Sequence, residues 1–247
     1  MGARVVVLGL ASDFGCQVQL TNIEDHLLDV LGLIDLSYWQ LASSGHMPDE
    51  YDVALVEGAV TTDEHVELLR KVRETAAVVI AIGSCAVTGG IPALAGTGDL
   101  EGRYEAVYGE GTDVARGRTR PVAVTSVIEV DYIVPGCPID TGEFLKVLSR
   151  VLGGLSDKPS EQPMCFACKT RENVCFFEKG EMCLGVVTRS GCHARCISLG
   201  RPCTGCRGIA PEANLGAARD VFEQHGFETA RSLHAMNLYN TNEEVAL

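Results

Sequence analysis

Val78-Val79-Ile80-Ala81-Ile82-Gly83-Ser84-Cys85 is the stretch on which the fold turns. Its five apolar residues run without polar alternation, the pattern of a strand covered on both faces, and the glycine that follows opens a loop carrying a cysteine. Similar short apolar runs stand at Val5 to Leu10, Leu33 to Tyr38, Val53 to Glu57 and Val130 to Val134. Amphipathic stretches lie between them. Leu20, Ile23, Leu27, Leu28 and Leu31 recur at helical spacing within Val18 to Leu31, and Val66, Leu69 and Val72 share a face within Asp63 to Glu74. A further helix is expected over Thr141 to Leu152. Strands alternating with helices predict an α/β fold built on a doubly wound parallel sheet.

Working outward, periodicity stops at Lys158-Pro159-Ser160-Glu161-Gln162-Pro163, a polar segment with two prolines. A first domain is therefore expected over residues 1–157 and a second over 163–247. Residues 165–206 hold eight of the eleven cysteines, with little aliphatic content. Such a segment is expected to be cross-linked by something other than a core. A helix from Ala213 to His225 and a polar end follow.

The overall composition, 46% apolar and 21% charged, is that of a globular protein rather than a disordered one. A net charge of −13 argues against nucleic acid or an anionic membrane as the principal partner, because both are held by clustered Lys and Arg. Met1-Gly2-Ala3-Arg4 leads straight into a strand-like run without the features of a signal peptide, and no apolar run reaches the roughly 18 residues of a membrane span. The chain is thus expected to be cytoplasmic, with no membrane insertion. In a reducing compartment, clustered cysteines are metal ligands or redox groups more often than disulfides.

In an open parallel sheet, ligands bind beyond the carboxyl ends of the strands. Cys16, Cys85 and Cys137 stand in loops after the first, fourth and fifth expected strands, each beside glycine and near a helix start whose partial positive charge stabilises thiolate. Three cysteines at equivalent loop positions are expected to converge. A four-iron cluster then requires one more ligand, and Asp13 stands three residues before Cys16 where a C-x-x-C pair would begin. Asp13 reads equally as a helix cap, since carboxylate is a harder ligand than thiolate. Glu57, at the end of the third strand, reads equally as a proton relay and as a capping acid. His193 reads as a surface residue.

The second constellation is Cys165-x-x-Cys168, Cys175, Cys183, Cys192, Cys196 and Cys203-x-x-Cys206, enough thiols for two four-cysteine sites. Spacing leaves zinc and iron–sulfur clusters both open. The first strand leads to Gly9-Leu10-Ala11-Ser12, without a dinucleotide fingerprint, and neither a Walker pattern nor a defensible Ser–His–Asp order is present, so no catalytic residue is assigned.

Phe14-Gly15-Cys16-Gln17-Val18-Gln19-Leu20, Val56-Glu57-Gly58, Gly83-Ser84-Cys85-Ala86-Val87-Thr88-Gly89-Gly90, Gly136-Cys137-Pro138, Cys183-Leu184-Gly185, Thr188-Arg189-Ser190-Gly191-Cys192 and Cys203-Thr204-Gly205-Cys206-Arg207-Gly208 together resemble the small, electron-transferring subunit of cytosolic [NiFe] hydrogenases. The likeness is particularly to the NAD(P)-linked, sulfhydrogenase delta branch. The resemblance implies a flavodoxin-like domain with a proximal cluster on Asp13, Cys16, Cys85 and Cys137, then a loop-dominated iron–sulfur segment. It implies a distal cluster on Cys165, Cys168, Cys175 and Cys183 and a medial one on Cys192, Cys196, Cys203 and Cys206, three [4Fe-4S] clusters in all. The family normally has cysteine where Asp13 stands. The implied partners are a large subunit bearing the Ni-Fe centre and diaphorase-type subunits bearing flavin, iron–sulfur clusters and an NAD(P) site. Alternatives are a cluster-bearing subunit of a quinone-reductase-type complex and a zinc-stabilised interaction module.

Overall fold

The computed structural model describes residues 2–110, 118–156 and 158–242. Residue 157, the last of the expected first domain, and residues 243–247, the last of the expected second, lie outside the described residues. The chain opens with β1 (Ala3–Gly9), then α1 (Gly15–Thr21), α2 (Leu27–Leu33) and β2 (Ile34–Trp39). β3 (Val53–Glu57) is followed by the short β4 (Val60–Thr62), α3 (Asp63–Thr75) and β5 (Val78–Ile82). Three short helices come next: α4 (Gly83–Thr88), α5 (Gly90–Ala93) and α6 (Leu100–Tyr108). β6 (Arg118–Val122), β7 (Tyr132–Val134) and α7 (Thr141–Leu152) precede the cysteine-rich segment. That segment carries α8 (Met164–Thr170) and α9 (Arg195–Ser198), and α10 (Leu215–Gln224) and α11 (Thr229–Asn237) follow it.

Five strands form one sheet in the order β2-β1-β3-β5-β7, every neighbouring pair parallel. Counting only these strands, the order is 2-1-3-4-5, the flavodoxin-like winding. The apolar runs explain why the sheet is buried on both faces. Val6, Leu8, Ala54, Val56, Val79 and Ala81 pack on one side with Leu69 and Val72 of α3. Val5, Val7, Val53, Leu55, Ile80 and Ile82 pack on the other with Leu20 of α1 and Phe144, Val147 and Leu148 of α7. Successive strand residues thus feed opposite layers, and a polar side chain would be buried at either parity.

Capping fixes where the covering helices begin. The Thr62 hydroxyl accepts the His65 N–H at 3.2 Å to start α3, and Asp140 accepts the Glu143 N–H at 3.0 Å to start α7. The expected helix over Val18 to Leu31 is instead two: α1 ends at Thr21 with Asn22 as its C-cap, and a tight turn over Glu24–His26 precedes α2. Neither half spans the length of the sheet, and Leu28 and Leu31 are left exposed. The expected strand start at Leu33 moves to Ile34, because α2 runs through Leu33.

The cysteine-rich segment does have a core. Met164, Phe176, Phe177, Leu184, Val187 and Ile197 pack with Ala218 and Phe222 of α10, Phe227, and Met236 of α11. The expectation that this region lacks apolar burial is therefore corrected: its own loops supply one side, and the helices beyond it supply the cover. α11 itself was not expected from the sequence.

Candidate metal centres

α1 begins abruptly because side chains meet its first donors. Phe14 takes the left-handed conformation at φ 59°, the Ser12 hydroxyl accepts the Phe14 N–H at 3.1 Å, and Asp13 Oδ1 accepts the Gly15 N–H at 3.0 Å. Glu57, only 1% exposed, then accepts the Cys16 N–H at 3.0 Å and the Gln17 N–H at 3.2 Å through its two carboxylate oxygens. Of the two readings of Glu57, the geometry supplies the cap. Burial pushes its carboxyl pKa up, against those two N–H bonds.

This start holds Cys16 at the carboxyl edge of β1, where it meets the loops after β5 and β7. Gly83 stands at φ +84°, and a Cβ there would lie 2.5 Å from Cys16 Sγ, so only glycine lets the β5 loop pass the thiol. Ser84 N–H donates to Gly136 O at 2.8 Å, tying that loop to the one bearing Cys137. One hollow is lined by Asp13, Cys16, Glu57, Cys85 and Cys137. The structure thus brings together the three loop cysteines and the carboxylate that the sequence singled out. Asp13 is exposed and serves both as an Asx turn at the helix start and as part of the hollow wall.

Burial raises the pKa of all three thiols: Cys16 strongly, with Glu57 adding to it, Cys85 up to about 12, with Cys137 adding to it, and Cys137 less. A group that binds here must supply the positive charge that draws off their protons.

Beyond α8, which carries Cys165 and Cys168, the chain returns through Cys175 and Cys183. A Cβ on Gly185 would lie 3.5 Å from Cys183 Sγ and 3.7 Å from Cys165 Sγ, which puts both thiols beside one glycine. The Cys165 pKa is pushed up to about 11 by burial and by the neighbouring Cys183, Cys168 and Cys175. The remaining four, Cys192, Cys196, Cys203 and Cys206, line a second hollow with Arg207. Burial pushes Cys203 strongly up and Cys206 to about 11. His193 is exposed. Among the described residues, no group of three or more His, Cys, Asp or Glu side chains converges as the ligands of a single ion would.

The three sets are not isolated from one another. A cavity of ≈ 530 Å3 is lined by Cys137 together with Cys192, Cys196 and Cys206. The Cys203 N–H donates to Cys183 Sγ at 3.3 Å. The Ser84 hydroxyl donates to Cys206 O, and Thr88 Oγ1 to Tyr239 O at 2.5 Å, so α4, which bears Cys85, also anchors the later segment. Thiols around hollows suit iron–sulfur groups, so the residues present fit such groups at the first set and at the 192–206 set, and the four further cysteines supply the same soft donors.

Sequence reasoning missed Arg207. It is 1% exposed and hydrogen-bonded through all three of its side-chain nitrogens, and nothing in its position beside Cys206 distinguishes it from a surface arginine.

Comparison with known proteins agrees with the fold. Residues 14–151 match the family described as NADH ubiquinone oxidoreductase, 20 Kd subunit. Sulfhydrogenase 2 subunit delta of Pyrococcus furiosus is 34% identical, over 90% of this chain and 92% of its own. The NAD-reducing hydrogenase HoxS subunit delta of Cupriavidus necator is 28% identical, over 61% of this chain and 79% of its own. A chain in the crystal structure of an NAD+-reducing [NiFe]-hydrogenase in the H2-reduced state superposes with a TM-score of 0.56 at 26% identity, covering 64% of this chain and 95% of that one.

Proposed function

We propose, from the premise that this chain belongs to the family of small, non-catalytic subunits of [NiFe] hydrogenases, that it relays electrons between the Ni-Fe site of a large subunit and a flavin- and iron–sulfur-bearing partner that reduces NAD(P)+. In this reading Cys16, Cys85 and Cys137, with Asp13, hold a proximal [4Fe-4S] cluster. Cys192, Cys196, Cys203 and Cys206 hold a medial one, and Cys165, Cys168, Cys175 and Cys183 a distal one. Bound there, the clusters supply one-electron carriers, and the protein's part is to space and tune them. Residues 1–157 form the proximal domain and 163–247 the other.

The observation that carries this reading is the continuity of the thiol sets. The first shares a cavity with the third through Cys137 and Cys206, and the third touches the second at Cys203 and Cys183. That the set at 192–206 adjoins both of the others supports reading it as the middle station of a linear relay. The chain's residues hold that order: Glu57 fixes Cys16, Gly83 gives its thiol room, and Ser84 and Thr88 join Cys85's helix to the later segment. The eleven cysteines are all unpaired, in keeping with a cytoplasmic setting. Among the described residues no helix is long and apolar enough to cross a membrane.

The alternatives fare less well. A zinc-stabilised interaction module predicts zinc and no iron, whereas the relay reading predicts iron and sulfide at the same thiols. The 20 Kd family match ends at residue 151, before any of the eight later cysteines, whereas the sulfhydrogenase relative aligns over 90% of the chain.

Replacing Cys85 with Ser in the anaerobically purified complex tests the relay. Hydrogen-driven reduction of NAD(P)+ is expected to be lost, while hydrogen/deuterium exchange on the large subunit survives in part. Equal loss of both activities in an intact complex contradicts a pure relay role.

A further inference from the structure

Arg207 is the largest side chain buried to the level of 1% exposure, and it lies between two of the thiol sets. Its Nη1 donates to Pro135 O at 2.6 Å, two residues before Cys137. Its Nη2 donates to Glu143 Oε1 of α7 at 2.6 Å and to Ser190 O at 3.1 Å, and its Nε to Arg189 O at 3.2 Å and Ser190 O at 3.3 Å. The guanidinium thus joins the loop of the first set, the helix that follows it, and the strand-like stretch leading into Cys192. Space is made for it deliberately: Gly191 stands at φ +136°, and a Cβ there would overlap Arg207 Nη2 and lie 2.5 Å from Glu143 Oε1.

The pair is poorly explained as a stability device. Buried ion pairs lose in desolvation much of what they gain in attraction, and an apolar replacement is often as stable. Glu143 Oε2 is moreover buried without a hydrogen-bond partner among the described residues. The charge distribution is lopsided with respect to the thiols. Arg207 lines both hollows that contain Cys192, Cys196 and Cys206, while Glu143 lines neither.

We infer that Arg207 is a positioning residue that sets the reduction potential of the group held by Cys192, Cys196, Cys203 and Cys206 and fixes its seat against the Cys137 loop, with Glu143 as the counter-charge that moderates it. The inference rests on the relay reading above. The sign follows from electrostatics. Adding an electron makes the group more negative, so a fixed cation in a poorly screened interior favours the reduced form and raises the potential. An anion behind that cation offsets part of the effect.

Redox titration followed by EPR, on the anaerobically purified complex with iron and sulfide counted in the same samples, tests it. The signal of this group is identified by its loss in the Cys196→Ser chain. At the wild-type midpoint, Arg207→Met is expected to lower the reduced-to-oxidised ratio about tenfold, which is 59 mV for a one-electron couple. Glu143→Gln, which keeps an acceptor for Arg207 Nη2, is expected to move the ratio up, and Arg207→Lys to stay within about threefold of wild type, since it keeps the charge. Opposite shifts for Met and Gln are a signature that loosened packing does not produce. Shifts in the same direction, or unchanged midpoints at full iron content, overturn the inference. If Arg207→Met does not assemble, the upward shift in Glu143→Gln decides alone. Wild-type protein devoid of iron and sulfide overturns the relay reading itself, an outcome distinct from unchanged midpoints in iron-loaded protein.

Discussion

The two halves of this molecule are held together by different physics. In the sheet, Val6, Val56 and Val79 on one face and Val5, Leu55 and Ile80 on the other are buried by helices on both sides, so hydrophobic burial is the main term that holds the layers together. In residues 164–227, a small core around Phe177 and Phe222 coexists with eight thiols, a buried Arg207 and turns at Gly180, Gly191, Gly200 and Gly205, all at positive φ. Apolar area fixes a layered sheet from a distance, whereas the second region's geometry depends on point interactions that each have to be made. The contrast explains why function sits where it does. The rigid edge of the sheet aims one set of thiols, and the irregular segment wraps further sets against it.

The sharpest way to break this contrast is to take the metal away. Protein produced under iron starvation is expected to show amide hydrogen exchange across 165–210 rising by orders of magnitude, while β1, β3 and β5 keep their protection, because metal-binding free energy is folding free energy only where the core is thin. Equal protection of both regions with and without iron would erase the distinction. Within the sheet half, Leu69→Ala removes a fully buried side chain from beneath α3 and is expected to cost about 2–5 kcal/mol in urea unfolding. A cost below about 1 kcal/mol would mean that the layer is not close-packed as described. Gly83→Ala lies at the seam between the halves. Its positive φ and the nearby Cys16 Sγ predict a loss of about 1–3 kcal/mol together with loss of iron from the first hollow alone. Full iron content in that variant would move Cys16 out of the site.

The smallest effect is electrostatic and belongs to the surface of the sheet. Asp52 is held below the usual carboxylate range by Arg4, which donates to it from side chain and backbone. A carboxyl with a depressed folded pKa adds stability above its unfolded pKa and loses it as pH falls through the folded value. Asp52→Asn should therefore lower the melting temperature slightly at neutral pH, with the gap closing in acid. A gap that persists unchanged at low pH would show that the ion pair contributes nothing.

How much of this was legible in the sequence follows the same division. β3 and β5 were readable to the residue, since uninterrupted apolar runs have one explanation in a parallel sheet. The helix expected over Val18 to Leu31 was read through its break because apolar spacing continues across Asn22 to His26 while the backbone does not. α4 and α5, six and four residues long, are too short to show a period, and β4 and β6 pair only with each other. For the site, the loop positions of Cys16, Cys85 and Cys137 followed from parallel-sheet winding, and the structure does line one hollow with them. Asp13 stayed ambiguous because a turn acceptor and a ligand demand the same carboxylate at the same place. Arg207, Glu143 and Ser84 were invisible, since their roles depend on contacts across 64, 72 and 122 residues of chain that no local pattern encodes.

The central claim is that three thiol sets carry three clusters in series, and metal analysis tests it most directly. Iron, acid-labile sulfide, zinc and nickel would be counted on the anaerobically purified chain with whatever accompanies it, with EPR of the dithionite-reduced sample. About twelve irons and twelve sulfides per chain, with reduced-cluster signals and nickel only when a large subunit is present, is the predicted result. About two zincs and no iron, the content of two structural four-cysteine sites, would contradict it.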